Sequence, residues 1–279
     1  MRSIDWESAI NTRRSTRSFH NINVETEKMN MINSFISDMN MPFEHNVKVK
    51  KFKAKYDKKL YTVYNAPPDN LAFMSKTDVY SISAAGFVGE VVILYATSIG
   101  ISTCWYGHYA LAELESVMPH LGQYKNFQNP KWGYGKDEVE GERTICITPL
   151  GYGKQDGVRL FDRIQENLIS YKRKPIENFL DGDIKEDELS PEILYALELA
   201  RKAPSAANTQ HWRFLISSDQ KTISIYMPVG YKHIKWEHPD VDIGICASHF
   251  WLGLLMKNIN CTVSLTVEDG RAVWRFQIE

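Results

Sequence analysis

Three arginines and a serine lie close together near the start of the chain. Arg13, Arg14, Ser15 and Arg17 fall within five residues, at the end of a short amphipathic segment. The planar guanidinium group matches phosphate oxygens through two parallel hydrogen bonds, so this spacing predicts an anion-binding site. The alternative is a solvated group of charges that favours the carboxyl end of a helix.

A second polar segment, APSAANTQHWRF at 203–214, carries a different chemistry. Pro204 ends a helical pattern, and Ser205, Asn208 and Gln210 then offer short polar side chains beside unpaired backbone amides. Groups of this kind can hydrogen-bond the carbonyl and ring-nitrogen edge of a planar heterocycle. The alternative is an ordinary capped loop.

Histidines and aspartates near residue 240 form a weaker candidate site. Their side chains could bind zinc or a pair of metal ions, and the residues are His233, His238, Asp240, Asp242 and His249. The H-x4-H spacing matches no common helical zinc pattern, because one helix face needs a spacing of three or four. We therefore predict no metal site and expect His249 to pack inside a core helix.

The four cysteines are scattered along the chain. Cys104, Cys146, Cys246 and Cys261 include no CxxC pair, which favours buried thiols in a reducing cytoplasm over disulfides or zinc. The first fifteen residues contain no apolar core of a secretory signal. We therefore expect a cytoplasmic protein.

The overall charge excludes a strongly basic protein. The 279 residues carry 33 basic and 34 acidic side chains, so no global field exists to attract nucleic acid or an anionic membrane. The longest apolar stretch, 84–101, is interrupted by glycine and polar residues, which predicts a buried helix rather than a membrane span. Lysines alternate with apolar residues at 47–55, which indicates a charged edge strand, with nucleic-acid binding as the alternative.

Two stretches of the chain occur twice, in the same order. RRSTRSF at 13–19 resembles RKPIENF at 173–179, and the segment 86–103 resembles 244–262, both at a separation of 158–160 residues. Two ordered matches at one separation indicate an internal duplication. The arginine-rich pattern is kept in the first copy, and the polar loop pattern at 203–214 is kept in the second copy. Each half would therefore supply a different part of one shared site.

The elements that position these segments can be predicted locally. Asp5 is expected to cap a short helix, and Ser190 with Pro191 to begin another. The predicted strands are 143–147, 212–216, 221–226, 261–267 and 271–278, the last two joined by a turn at Asp269-Gly270. This pattern predicts an α+β fold built twice, with halves 1–165 and 166–279 packed as one unit.

Together these motifs resemble the nitroreductase superfamily of flavin enzymes. RRSTRSF and APSAANTQHWRF carry this resemblance. More narrowly, KRKPIENF followed by LARKAPSAANTQHWRF and DIGICASHF is similar to the branch called TM nitroreductases, in which two nitroreductase-like halves are fused. The resemblance implies a nitroreductase-like fold duplicated in one chain, an intramolecular pseudo-dimer. In each half, antiparallel-rich mixed sheets and helices would surround a long buried core helix. FMN would lie in the cleft between the halves.

The resemblance also assigns cofactor-binding residues. Arg13, Arg14, Ser15 and Arg17 match phosphate and pyrimidine contacts; Pro204, Ser205, Ala206 and Asn208 match the segment from the partner half; Trp105, Tyr106 and Gly107 match the loop beside the flavin ring. Arg159 is the candidate for a late basic contact to the phosphate, with Lys154 and Arg163 as alternatives.

The activity implied by the resemblance is a reductase that uses NAD(P)H. Nitroaromatic- or quinone-like acceptors would be reduced by two-electron hydride chemistry, which demands no catalytic side chain. A non-catalytic flavin-binding or ligand-binding remnant is the alternative, because one copy of each motif has diverged. Fusion removes the usual reason to dimerise, so we expect a monomer whose partner is a small-molecule electron acceptor, with no nucleic acid or membrane.

Overall fold

The computed structural model describes most of the chain. It covers residues 1, 4–57, 60–61, 65–107, 109–110, 113–114, 116, 141–154, 172–232 and 238–279. The α-helices described from end to end are α1 (Trp6–Thr12), α2 (Thr26–Asp38), α3 (Val79–Ser98), α4 (Pro191–Ala200) and α5 (Asp240–Met256). Short 3-10 helices cover Ile176–Asn178, Glu186–Glu188 and Ala206–Asn208.

Three of the helices begin at a side chain that caps the first turn. Asp5, Asp78 and Ser190 each accept a hydrogen bond from the backbone N–H three residues later, at 2.9, 2.8 and 3.4 Å. Such caps satisfy one of the N–H groups that a helix start leaves without a partner. The caps predicted at Asp5 and Ser190 are thereby confirmed, and α1 turns Trp6 and Ile10 into the core.

The described strands form two sheets. The first contains β1 (Lys48–Lys53), β2 (Asp69–Ser75) and β3 (Arg143–Leu150), in that order and antiparallel. The second contains β4 (Leu180–Asp181), β5 (Arg213–Ile216), β6 (Thr222–Tyr226), β7 (Cys261–Glu268) and β8 (Arg271–Ile278) in the order β4-β5-β6-β8-β7. Among the described strands, only β4 and β5 pair in parallel. The predicted fold class, α+β with antiparallel-rich mixed sheets, is confirmed.

The strand predictions agree closely with these sheets. The lysine-rich segment forms β1, which lies at the edge of its sheet and pairs only with β2 among the described strands. Asp269 and Gly270 join β7 to β8 with positive φ angles of 48° and 71°, as a tight hairpin turn requires. Strand β3 runs to Leu150, three residues beyond its predicted end.

The two long helices, α3 and α5, cross at closely approaching backbones. A Cβ atom on Gly86 of α3 would lie 2.1 Å from the backbone oxygen of Val241, and one on Gly244 of α5 would lie 1.9 Å from that of Ser83. Gly244 follows Gly86 by 158 positions, and Val241 follows Ser83 by the same 158. This reciprocal contact is what a twofold axis produces, so the two helices meet as equivalent parts of a repeat.

Helix α3 is the core helix that the apolar stretch at 84–101 predicts, although it begins earlier, at Val79. Among the described helices, only α3 is long and apolar enough to cross a membrane by length and composition. Of its most apolar window, 83% is buried inside the protein, as in the core helix of a globular fold. Helix α5 is also buried, with His249 fully enclosed as expected.

The two sheets separate along the chain. All strands of the first sheet precede residue 151, and all strands of the second follow residue 179. The predicted boundary between halves 1–165 and 166–279 lies outside the described residues, so its position stays a prediction.

We expect Gly86→Ala and Gly244→Ala each to lower the free energy of unfolding by about 1–3 kcal/mol or more, because the new methyl group meets backbone rather than a movable side chain. The loss should appear although alanine is favoured over glycine in a helix by about 1 kcal/mol. Urea unfolding monitored by circular dichroism measures it. Ser98→Ala, at the exposed end of α3, is the matched control. Equal or higher stability of both glycine variants would contradict the close crossing.

Candidate functional site

A cavity of about 690 Å³ lies between the two predicted halves. Its described lining residues are Ile10, Asn11, Arg13, Arg14, Ser15, Arg17, Arg173, Lys202, Pro204, Ser205, Ala207 and Asn208. Five of them are cationic, and none of the lining residues that the structure describes is acidic. The cavity therefore attracts anions, and phosphate is the group that several arginines bind best.

The first half presents its arginines on an extended segment. Helix α1 ends at Thr12, and the chain then runs beside the segment that follows α3, where Ser15 pairs with Thr103 and the Thr16 N–H donates to the Thr103 oxygen at 2.9 Å. Arg13 is only 7% exposed, yet it lines the cavity and its buried Nη1 atom has no hydrogen-bond partner among the described residues. A buried donor without a partner is costly, so it marks a place where a ligand acceptor fits.

The second half contributes a loop with unusual backbone conformation. Ala207, Asn208 and Gln210 have φ angles of 51°, 56° and 49°, a region that costs energy for residues other than glycine. The Ser205 hydroxyl accepts the Gln210 N–H at 2.9 Å, and the buried Asp242 carboxylate accepts the Ala206 N–H at 3.0 Å. These hydrogen bonds hold the loop against the cavity.

Arg173 is a cavity residue that the sequence interpretation missed. Its Nη1 donates to the Asn208 side-chain oxygen, and its Nη2 donates to the Lys202 carbonyl at 2.8 Å. Burial and the nearby charges of Arg13 and Arg14 lower the pKa of Arg173 to about 10. The duplication pairs Arg173 with Arg13, and that pairing was the available signal. Since the residues after Arg173 have lost the phosphate-binding pattern, the sequence suggested that this copy was inactive.

Behind the arginines lies a buried carboxylate, Glu90, in the middle of α3. Its Oε1 is 2.9 Å from His249 Nε2 and 3.7 Å from Arg13 Nε, and its Oε2 accepts the Trp105 indole N–H at 2.6 Å. Glu90 and His249 are fully buried. The cluster thus joins α3, α5, the arginine segment and the loop after α3.

Asp242 is the second buried carboxylate near the cavity. Burial raises its pKa to about 8, against the lowering effect of the Ala206 N–H, and the charge of Asp240 raises it further. Burial likewise raises the pKa of Asp240 to about 6. Both residues lie in the first turn of α5, where the helix dipole favours negative charge.

A nitroreductase family model matches the chain over residues 5–119 and 122–254, and the description of that family is "Putative TM nitroreductase". The chain belongs to this family. The match covers most of the chain, including the arginine segment and the loop at 203–210. This member of the TM nitroreductase family therefore belongs to the oxidoreductases in general terms.

A solved structure with a TM-score of 0.60 supports the TM nitroreductase fold, and two others are similar to part of the chain. A "putative nitroreductase" from Thermotoga maritima, 19% identical, covers 99% of this chain and 94% of its own with a TM-score of 0.60. A nitroreductase family protein from Clostridium difficile 630, 14% identical, covers 63% and 97% with a TM-score of 0.42. An FMN-dependent nitroreductase from Clostridium difficile R20291, 15% identical, covers 55% and 92% with a TM-score of 0.37. Among proteins of curated function, no sequence match was found.

Most of the predicted site residues of this TM nitroreductase meet at the cavity. The predicted residues that line the cavity are Arg13, Arg14, Ser15, Arg17, Pro204, Ser205 and Asn208. Ala206 lies in the same loop but does not line the cavity. Asn208 is engaged with Arg173 and the Lys172 oxygen, so it shapes the cavity through Arg173.

The remaining predicted residues lie elsewhere. Trp105, Tyr106 and Gly107 do not line the cavity, although Trp105 reaches Arg13 through Glu90. Arg159 and its alternative Arg163 lie outside the described residues. The other alternative, Lys154, lines a neighbouring cavity of about 610 Å³ that shares the same arginines.

The metal hypothesis finds no geometric support among the described residues. His233 lies outside them, Asp240 and Asp242 each accept a backbone N–H, and His249 contacts Glu90. In the part of the chain that the structure covers, no three His, Cys, Asp or Glu side chains are placed to hold a metal ion.

All four cysteines are free thiols. Burial raises the pKa of the Cys104 thiol, although the charges of Arg17 and Arg13 lower it. A protonated thiol is a poor nucleophile, so the geometry agrees with the buried-thiol interpretation of this residue.

We expect Asp242 to make the stability of the protein depend on pH. Its pKa is about 8 in the folded protein against 3.8 as the ordinary value, so between these values the folded state holds a proton that the unfolded state has lost. The free energy of unfolding should therefore fall as pH rises through this window. Asp242→Asn keeps an oxygen for the Ala206 N–H and cannot ionise, so its melting temperature should exceed that of the wild type by about 2–4 °C or more at pH 9.

Thermal melts at intervals from pH 4 to pH 9 measure this difference. The two proteins should converge as the pH falls toward 4, because the carboxyl of the unfolded state then begins to hold the proton as well. Asp219→Asn, at a surface carboxyl whose pKa is lowered by hydrogen bonds from Ser217 and the Lys221 N–H, is the control and should gain nothing at high pH. Parallel curves for wild type and Asp242→Asn would rule out the expected role.

Proposed function

We propose that the protein is an FMN-dependent oxidoreductase that uses NAD(P)H to reduce nitroaromatic- or quinone-like acceptors. The observation that carries this proposal is the cavity between the two halves, with five cationic side chains and no acidic one among its described lining residues. The family and its fold support oxidoreductase chemistry in general; the cofactor and the acceptors are our inference from the site and the motifs.

The residues present fit the phosphate group of FMN. A phosphate monoester carries a charge of about −1.5 to −2 at neutral pH and offers three acceptor oxygens. Arg13, Arg14, Arg17 and Arg173 supply guanidinium donors, and the buried Nη1 of Arg13 needs an acceptor. Burial lowers the pKa of Arg173 most, and repulsion from Arg13 and Arg14 lowers it further; a bound dianion would relieve this repulsion.

The protein's own residues would bind and orient the cofactor. The arginine segment would hold the phosphate, while Pro204, Ser205 and the strained backbone at Ala207 would form the opposite wall of the cavity. When bound, FMN supplies hydride transfer between a nicotinamide donor and an acceptor. The described lining residues include no carboxylate or histidine, so this wall of the cavity provides binding and charge rather than a proton donor.

The loop after α3 would pass beside the flavin ring. Tyr106 is fixed there by paired backbone hydrogen bonds with Ile147, at 3.0 and 2.9 Å, and Trp105 is fixed by Glu90. A rigid loop suits this role, because backbone amides can tune a ring only if their position does not vary.

A non-catalytic flavin-binding or ligand-binding protein is the second candidate. Its support is that Asn208 and Gln210, the polar side chains expected to reach the cofactor, hydrogen-bond to the segment 172–174 instead. This leaves fewer groups to tune the ring. We further propose a cytoplasmic monomer, since both halves of the site are present in one chain.

We expect purified wild-type protein to be yellow or to bind added FMN. The double variant Arg14→Ala with Arg17→Ala should bind FMN about tenfold or more weakly, because charge-assisted hydrogen bonds are lost. Arg173→Ala should weaken it similarly. Fluorescence titration of FMN measures the affinities. Arg275→Ala, which removes a surface ion pair with Glu268, is the control and should not change them. A colourless protein that binds no FMN would remove the proposal.

Turnover separates the two candidates. The enzyme should oxidise NADH or NADPH in the presence of a nitroaromatic or quinone acceptor, and the loss of the absorbance of the reduced nicotinamide follows the reaction. FMN binding without turnover for any acceptor of either class would favour the carrier.

A further inference from the structure

We propose that Glu90 is the positioning residue of the flavin site, holding Arg13 and Trp105 in place while His249 from the second half holds Glu90. The inference rests on the proposed FMN site and deepens it. It assigns a role to a buried carboxylate and a buried histidine that do not line the cavity.

The surroundings of Glu90 explain why the carboxylate needs partners. It is fully buried in α3, among apolar residues, and a buried charge is tolerated only when it is paired and hydrogen-bonded. Trp105 donates to one oxygen, and His249 and Arg13 face the other. The space for the indole comes from Gly89, where a Cβ atom would lie 2.4 Å from the Trp105 ring.

The hydrogen bonds of His249 fix how the pair shares its protons. Its Nδ1 is 3.1 Å from the Leu199 carbonyl oxygen, which can only accept, so Nδ1 carries a hydrogen. Its Nε2 lies 2.9 Å from Glu90 Oε1, and a contact this short between two potential acceptors requires a proton between them. The imidazole is therefore tied at both nitrogens, and it fixes the carboxylate from the side of the second half.

Arg13 connects the fixed Glu90 carboxylate to the cavity. Its Nε faces Glu90 at 3.7 Å, and its Nη1 has no partner in the described protein, so the side chain has one end anchored and one end available for an anion. Preorganised donors bind an anion more tightly than mobile ones, because less side-chain freedom is lost on binding. Loss of the Glu90 contact should therefore weaken binding of the phosphate group specifically.

The test compares FMN with riboflavin, which lacks the phosphate. In Glu90→Gln, the dissociation constant of FMN should rise about tenfold, while that of riboflavin should change by less than about threefold. A general loosening of the fold would weaken both ligands equally. Arg13→Gln should show the same selective loss, and the double variant should lose little more, because the two residues act through one contact. Glu268→Gln, at a surface carboxylate, is the control.

A second measurement does not require flavin. In protein labelled with nitrogen-15 in its seven tryptophans, the Trp105 indole N–H resonance is the one that disappears in Trp105→Phe. It should move in Glu90→Gln and in His249→Gln but not in Glu268→Gln. If wild-type protein binds no FMN, the proposed function fails, while this resonance still decides whether Glu90 and His249 hold Trp105.

Two results would overturn the proposal: an unmoved Trp105 resonance in Glu90→Gln, or equal weakening of FMN and riboflavin binding. If Glu90→Gln does not fold, His249→Gln and Arg13→Gln replace it in the test. An unmoved Trp105 resonance in His249→Gln, or an unchanged ratio of FMN to riboflavin affinity in Arg13→Gln, then overturns the proposal.

Discussion

The close approach of two helix backbones is the constraint on which the rest of the structure depends. At Gly86 and Gly244, α3 and α5 meet with no room for a side chain on either helix. Such a contact allows little sliding or rotation, because any shift brings backbone atoms into collision or opens a void. The two halves are therefore held in one relative position, and the cavity between them is rigid for the same reason.

The charge distribution at the cavity follows from this rigidity. Arg13 and Arg173 belong to different halves, yet they are held near enough for their charges to oppose each other. Mobile side chains would separate into solvent, but Glu90 behind Arg13 and Asn208 beside Arg173 restrain them. The protein thus holds two like charges close together at the cavity. An anionic ligand would reduce their repulsion, an arrangement that is typical of binding sites.

The sequence predicted features that depend on neighbouring residues better than features that depend on packing. Caps at Asp5 and Ser190 follow from residues three or four positions apart, and the segments at 13–17 and 203–208 carry recognisable local patterns. Glu90 was not found, because a single carboxylate in an apolar helix shows no partner until α5 brings His249 beside it. Arg173 was misjudged for a related reason: its local pattern has diverged, and only the folded chain shows that it faces the arginines of the other half.

The reciprocal glycine contact also has an evolutionary consequence. In a symmetric homodimer every substitution appears at both interfaces and in both sites, so neither site can change alone. A fused chain is free of this coupling, since position 17 can remain arginine while position 177 becomes glutamate. The helix crossing keeps the symmetry that folding requires, while the surrounding loops can specialise independently. One chain can then use its second set of loops to complete the first site instead of maintaining a duplicate.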